Sequence, residues 1–410
     1  MTEDRLNNLR GMKTFLRILW KSPTVLLLVA LVLVLATEFS LIYDFRKPEP
    51  FTGPDIFNPY SALDTAQCWK KSVFHTHTRV KGPWPPNECP MWPQEVWDTY
   101  QKLGYDIVTF SNHNEITRHP FDSTLQVDVY EQGYGAFKYH KLVFGGKKPL
   151  MVDHIFPVLA SQKQCQMEYL DRHSDFIQLN HPYRTGMMTP SVMAKLSGYE
   201  ITELDTHIST QNEYWDQALS AGHYSFGLAN DDLHHPEYHW RTGIRCNFLC
   251  TPSGRYEDIK NTLLGGCYYA MRVPDYGNGD WGEKAMRHHN LVKVEDIGLD
   301  GDRIYIRLSA SADSIRINGQ DHCILALEQN TDTLSYRMGP GDPFARFTAF
   351  FPDGAVIYSN PFARYDASVA GTPFDKAPQK VDWLLTLLFN LAILLLLAGG
   401  VWLIVKVIKR

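Results

Sequence analysis

The run LLTLLFNLAILLLLAGGVWLIV, residues 384–405, carries no charged side chain over 22 residues and restricts the chain more than any other stretch. A bilayer core takes about 20 apolar residues as a helix, so this run predicts a transmembrane helix. A second apolar run, TVLLLVALVLVLATEFSLIY over 24–43, predicts another, with Glu38 towards its far end. A cleaved signal peptide is the competing reading of that run, because its apolar core is short. No clean small-x-small site precedes Thr37, which favours an uncleaved anchor. Arg5, Arg10, Lys13, Arg17 and Lys21 precede the first run, and Lys406, Lys409 and Arg410 follow the second. Cytoplasmic flanks collect Lys and Arg. Residues 1–23 and 406–410 are therefore expected in the cytoplasm, and everything between on the other face, periplasmic in a Gram-negative cell. Arg46 and Lys47 weaken this asymmetry without reversing it.

The middle of the chain has the composition of a folded protein, since the whole is 44% hydrophobic and 21% charged. A net charge of −5 and the absence of a Lys/Arg-rich central block argue against nucleic acid as a partner. The length of 410 residues predicts one large domain and something smaller. Seven cysteines without a C-x-x-C pair make a cysteine zinc site a poor reading, although Cys68 and Cys89 could pair around the segment between them.

Residues 44–66 read as a linker. From 67 to 294 the pattern is short apolar strands alternating with helical stretches such as QEVWDTYQKLG and SQKQCQMEYLDRH, which predicts a parallel βα architecture. Polar residues gather at the predicted strand ends: FHTHT, SNHN, LNHPYR and ANDDLHH. A βα barrel builds its active face at the C-terminal ends of its strands. Over 295–375 the chain alternates apolar and polar residues, with turn signals at Asn318-Gly319 and Asp353-Gly354. That predicts a small antiparallel, sandwich-like β domain.

Sixteen histidines make a single H-x-H pair unremarkable. Position is what singles out His75, His77, His113, His181, Asp232 and His234, because each falls at a strand end. Imidazole and carboxylate together suit Zn, Mn or Fe. His154, His173, His207, His223, His239, His288 and His289 read as structural or surface residues.

In this order the motifs resemble the PHP (polymerase and histidinol phosphatase) family of metal-dependent phosphoesterases, over about residues 70–275. The resemblance implies a distorted βα barrel, two or three divalent ions, and hydrolysis of a phosphate ester on a small-molecule or envelope substrate. Carried over, it makes His75, His77, His113, His181, Asp232 and His234 metal ligands, adds Glu131 and His140 from YEQGYGAFKYH, and leaves Asp231 as an alternative carboxylate to Asp232. Arg184 is the first candidate for phosphate contact and acts with Asp232 in catalysis; for Arg79 and Arg245 an ordinary solvated or ion-paired role is preferred. Two departures stand out: Arg79 and Lys81 occupy the place where the family often has an acid, and Asn112 replaces the acid of the second motif. Two other classes compete, an amidohydrolase-type metal hydrolase and a membrane-anchored protein that binds metal or a phosphorylated ligand without turnover.

Overall fold

A computed structural model describes residues 22–64, 69–81, 88–274, 280–374 and 379–409 of the chain. Cys68, the basic residues of 5–21 and Arg410 lie outside these, so the expected Cys68–Cys89 pair and the basic flank before the first apolar run are not described.

The fold is mixed α/β. Lys70–Val73 pairs in parallel with Ile107–Val108. Val129–Gln132, Lys141–Phe144, Phe176–Leu179, Ile201–Asp205 and Phe226–Ala229 form a second sheet in that order. Its first two joins are antiparallel and its last two parallel. Single bridges, His113 to Glu131 and Thr76 to Leu233, connect the two sets into a ring at the C-terminal ends of Ile107–Val108 and Lys70–Val73. Side-chain amides take over where no ladder forms: Asn230 Oδ1 accepts from the Phe74 amide, and Asn247 exchanges two bonds with the Ala229 backbone. A buried backbone group needs a partner, and here a side chain supplies it.

Helices fill the crossovers. Pro93–Lys102 presents Val96 and Tyr100 to the interior and ends before Gly104, whose φ of +72° suits glycine. Ala160–Asp171 and Asn212–Ser220 serve later strands in the same way.

The C-terminal strands join the ring edge to edge. Val294–Asp300, Arg303–Asn318, Phe344–Phe350, Val356–Ser359, Tyr268–Arg272, Arg245–Leu249, Lys70–Val73 and Ile107–Val108 lie side by side in one sheet. The first site-bearing strand, Lys70–Val73, is thus an interior strand of that sheet, and one hydrophobic core runs from Val73 and Val108 to Ile315, Ile317 and Phe347. Arg346 adds a polar tie, with its guanidinium buried against Asp216 of Asn212–Ser220.

The two apolar runs differ from each other. Trp383–Lys409 is a 27-residue helix, long and apolar enough to cross a membrane, and it outlasts the expected 384–405. The other run departs from its expected span of 24–43: among the described residues its helix is Ser22–Ala36. Beyond that helix the chain belongs to the folded body. Glu38 is buried, its carboxylate accepting from the Phe156 amide at 3.0 Å and from Gln162 Nε2 at 2.7 Å. A carboxylate so held cannot lie in hydrocarbon, and the chain leaves the helix just before it. The runs then meet. Ser40 and Asn390 exchange two hydrogen bonds, Ile42 donates to Thr386 Oγ1, and Tyr43–Asp44 pairs with Lys380–Val381.

Candidate metal centre

In extended chain successive side chains point to opposite faces. His75 and His77 therefore share one face, while Thr76 turns to the other, where its amide donates to Ser111 Oγ at 3.1 Å and its hydroxyl to the Thr109 carbonyl. That is the local reason for the spacing. His113 arrives beside them from the neighbouring strand end, and its bridge to Glu131 brings in the third.

Glu131 is the hub. Its Oε1 lies 3.2 Å from His75 Nε2, 3.1 Å from His140 Nδ1 and 3.3 Å from His181 Nε2. Its Oε2 lies 3.2 Å from His77 Nε2 and 3.1 Å from His113 Nε2. Asp232 Oδ1 forms a second focus, 3.3 Å from His75 Nε2, 3.5 Å from His77 Nε2 and 3.1 Å from His234 Nε2. All eight residues that the sequence singled out are thus brought together.

His75 Nε2, His77 Nε2 and Glu131 Oε2 are buried without a hydrogen-bond partner among the described atoms, though each has a donor or acceptor nearby. His75 Nε2 and His77 Nε2 each stand 3.2 Å from a Glu131 oxygen without a well-formed hydrogen bond, and buried polar atoms left in that state are costly unless something sits between them. The donor set fits divalent cations: ligand atoms of His75, His77, Glu131 and Asp232 lie within 4.8 Å of one another, as do those of His77, Glu88 and His113 and those of His113, Glu131 and His140. Mixed imidazole and carboxylate suits Zn, Mn or Fe without choosing among them.

The backbone bends to make the cluster. His181 has φ +25° and Asp232 φ +49°, both rare for residues with a Cβ. Pro182 opens a short turn after His181 that brings Arg184 back over the site.

Two acids escaped the sequence reading. Glu203 is fully buried; it accepts from His75 Nδ1 at 2.9 Å and from the His181 amide at 2.8 Å. It fixes the His75 tautomer so that Nε2 faces the cluster. The signal was an acid inside ITELD, a strand buried at all five positions. Replacing Glu203 with Gln should weaken metal affinity about 10–100-fold, read by competition with a chelating dye. Unchanged affinity would show that His75 needs no such partner.

Glu88 is the other, and it corrects the expectation of a vacant acid position. It lies 3.1 Å from His113 Nε2 and 3.8 Å from His234 Nδ1, further along the chain than Arg79 and Lys81. Asn112 faces away from the cluster: its Oδ1 accepts from the Thr78 amide and its Nδ2 donates to Thr78 and Thr117 hydroxyls. The alternative carboxylate, Asp231, is committed to Tyr100 OH and to the amides of Gly243, Ile244 and Arg245. Arg245 is buried against Asp205, and Arg79 lies over the Trp92 ring. Arg184 is at the site, with Nη1 3.0 Å from Asp232 Oδ2 and its side chain about a third exposed. The exposed Lys138 lines the same cavity of about 280 Å³, a second cation the sequence reading did not pick out.

Burial opposes charge on every group here, and the neighbours decide the outcome. It would raise the Glu131 carboxyl, but His113, His75 and His140 hold it well below the usual range; His75 and His234 do the same for Asp232. Burial pushes His140 down to about 4, which leaves its ring neutral at pH 7. His77 goes the other way, up to about 9, because Asp232 and Glu131 outweigh its burial; His75 is likewise raised by Glu131, Glu203 and Asp232. A ligating imidazole must be neutral, so metal has to displace those protons. Below pH 9 apparent metal affinity should therefore rise with pH, by about tenfold per unit for each proton displaced. Titrations at pH 6 to 8.5 check this, and an affinity flat across that range would contradict it.

No protein-family model and no curated protein matches the chain. Among solved structures it is similar to a two-domain protein from Bacteroides vulgatus containing a predicted PHP-like metal-dependent phosphoesterase. Identity is 14%, the match covers 77% of this chain and 99% of that one, and the TM-score is 0.38.

Proposed function

We propose that this chain is a metal-dependent phosphoesterase, held to a membrane by Trp383–Lys409 and by the helix packed beside it. The observation that carries the reading is the convergence of six imidazoles on Glu131 and Asp232, with Arg184 and Lys138 at the rim of the same cavity.

Two or three divalent ions would be held by His75, His77, His113, Glu131, His140, His181, Asp232 and His234, with Glu88 added. When bound, such ions make water nucleophilic near neutral pH and offset charge on phosphate oxygens. The side chains do the rest. Asp232 turns Oδ1 to the cluster and Oδ2 to Arg184, so one carboxylate ties the guanidinium to the clustered donors. An incoming phosphate competes for Arg184, whose partial exposure leaves it free to rotate, and Lys138 meets the same anion from across the cavity. A fixed cation is worth most against charge spread over several oxygens, as in phosphoryl transfer. Arg184 and Asp232 are the residues assigned to catalysis.

The amidohydrolase alternative fits less well. Such enzymes usually close with a lone Asp and bridge their metals with a modified lysine, whereas here Asp232 and His234 both stand at the cluster, 3.1 Å apart. Lys141, the buried lysine nearest in sequence to His140, is spent on the Tyr139 carbonyl and Gln166.

In this reading the body lies outside the cytoplasm, on the charge asymmetry of the flanks. Its test is phosphate release by the purified full chain from an aryl phosphate, with Mn or Zn added and then chelated. Metal-dependent release supports the enzyme; tight metal without turnover of any phosphate ester supports the binding role. Turnover of amides or lactones instead would favour the amidohydrolase.

A further inference from the structure

The segment Met151–Leu159 departs from ordinary loop composition. Met151, Val152, Phe156, Val158 and Leu159 are each between 38% and 50% exposed. Contiguous exposed apolar surface of this kind marks an interaction site. The points where it is fastened show what covers it. His154 Nδ1 donates to the Thr37 carbonyl at 2.8 Å, and the Phe156 amide donates to Glu38 at 3.0 Å. Thr37 and Glu38 are the residues at which Ser22–Ala36 ends. That helix packs along Trp383–Lys409, since a Cβ on Gly400 would meet Val32. Trp383, Leu384, Leu31 and Leu33 are all at least half exposed on these helices. The apolar loop is therefore fastened at the residues where the first helix ends, at the level where the chain enters the folded body.

The other side of the loop braces the metal cavity. Asp153 Oδ2 accepts from the amides of Tyr134 and Gly135, and Ile155 O accepts from Ala136. Tyr134 OH donates to the Met151 carbonyl, and the Phe137 and Phe156 rings lie 5.9 Å apart. Gly133, Tyr134, Gly135 and Lys138 are part of the cavity lining. At Gly135 a Cβ would stand 2.6 Å from the His154 carbonyl, so the rim and the loop are in direct backbone contact. One residue's thickness separates the mouth of the site from the segment fastened to the helix end.

We propose that Met151–Leu159 lies in the bilayer interface, and that the substrate is a membrane lipid phosphomonoester whose headgroup enters the cavity from the bilayer plane. This deepens the phosphoesterase reading and rests on it. A segment at the acyl boundary sets the rim at headgroup height. The cavity, about 280 Å³, admits a phosphate and a short part of its ester while the acyl chains stay in the membrane. Lys138 and Arg184 suit a monoester dianion better than a singly charged diester. In the reaction water bonds to phosphorus, the bond from phosphorus to the lipid oxygen breaks, and that oxygen leaves as the lipid alcohol with a proton from the water. Inorganic phosphate is the other product.

The test uses the full chain in phosphatidylcholine nanodiscs containing phosphatidic acid, with a soluble aryl phosphate assayed in parallel. Val152→Glu combined with Val158→Glu puts two charges on the loop without touching the cavity. Phosphate release from phosphatidic acid should fall at least about tenfold, and aryl phosphate turnover should stay within about twofold. Equal activity of variant and parent on both substrates overturns the proposal, as does a parent active on aryl phosphate alone. If the parent turns over neither substrate, the phosphoesterase reading is what fails, and the docking surface is decided without turnover. Val158→Trp in discs of brominated lipid should add emission that is strongly quenched relative to unbrominated discs. Unquenched emission overturns the proposal, including where the loop is covered by a second copy or another protein.

Discussion

Replacing Glu131 with alanine should empty the metal centre and lower kcat/KM by on the order of a thousandfold. No other side chain in the cluster reaches as many partners: its two oxygens lie within 3.3 Å of five imidazoles. Its removal takes away the carboxylate that compensates those rings and leaves Asp232, Glu203 and the more exposed Glu88 to balance the set. Asn180 also donates to Glu131 Oε1 at 2.9 Å and would lose its acceptor. Glu131→Gln separates charge from shape, because it keeps the volume and an acceptor oxygen. It should lose most of the metal as well. Metal content of the purified variants, beside phosphate release and far-ultraviolet circular dichroism, checks this. A folded Glu131→Ala protein with the parent's metal content and turnover within tenfold would remove Glu131 from the centre.

The largest effect on stability is expected at a buried ion pair outside the histidine cluster. Arg346 is fully buried, donates to both Asp216 oxygens at 2.7 Å and to Thr348 Oγ1 at 2.9 Å, and lies 4.8 Å over the Trp215 ring. Burial would raise the Asp216 carboxyl, yet Arg346 holds it below its ordinary value. Arg346→Leu leaves that carboxylate buried, with the more distant His322, 3.8 Å away, and Arg316 as partial compensation. Breaking one side of such a pair costs about 3–5 kcal/mol. Removing both charges, with Asp216→Leu added, should recover much of the loss. Urea unfolding of the full chain in detergent measures both, and a single variant within about 1 kcal/mol of the parent would mean water reaches the pair.

How much of this was readable beforehand depends on the range of each signal. The alternation that puts His75 and His77 on one face is local, and so is the placement of His113, His181 and Asp232 just past apolar runs. Those features survive in a string of letters. Glu88 and Glu203 do not, because their roles depend on approach across 25 and 128 residues of chain, to His113 and His75 respectively. The choice between Asp231 and Asp232 was likewise undecidable from adjacency; it is made by Tyr100 and three backbone amides. The C-terminal strands were legible as strands, but their neighbours were not: Tyr268–Arg272 pairs with Val356–Ser359, a register set by tertiary packing. The span of the first apolar run was missed for a related reason. Hydropathy counts Glu38 as one charge near an end, whereas the partners that stop the helix there are Phe156 and Gln162.

The clasp between the chain's two ends, Ser40 with Asn390 and Tyr43 with Val381, has a kinetic side. It leaves no slack stalk between the helices and the body, so in the membrane-held reading the body cannot swing outward to sample the surrounding solution. Encounters with a lipid would then be two-dimensional, and the variable that saturates the enzyme would be mole fraction in the leaflet. Diluting the substrate with inert lipid at constant bulk concentration should slow turnover, while diluting the vesicles should not.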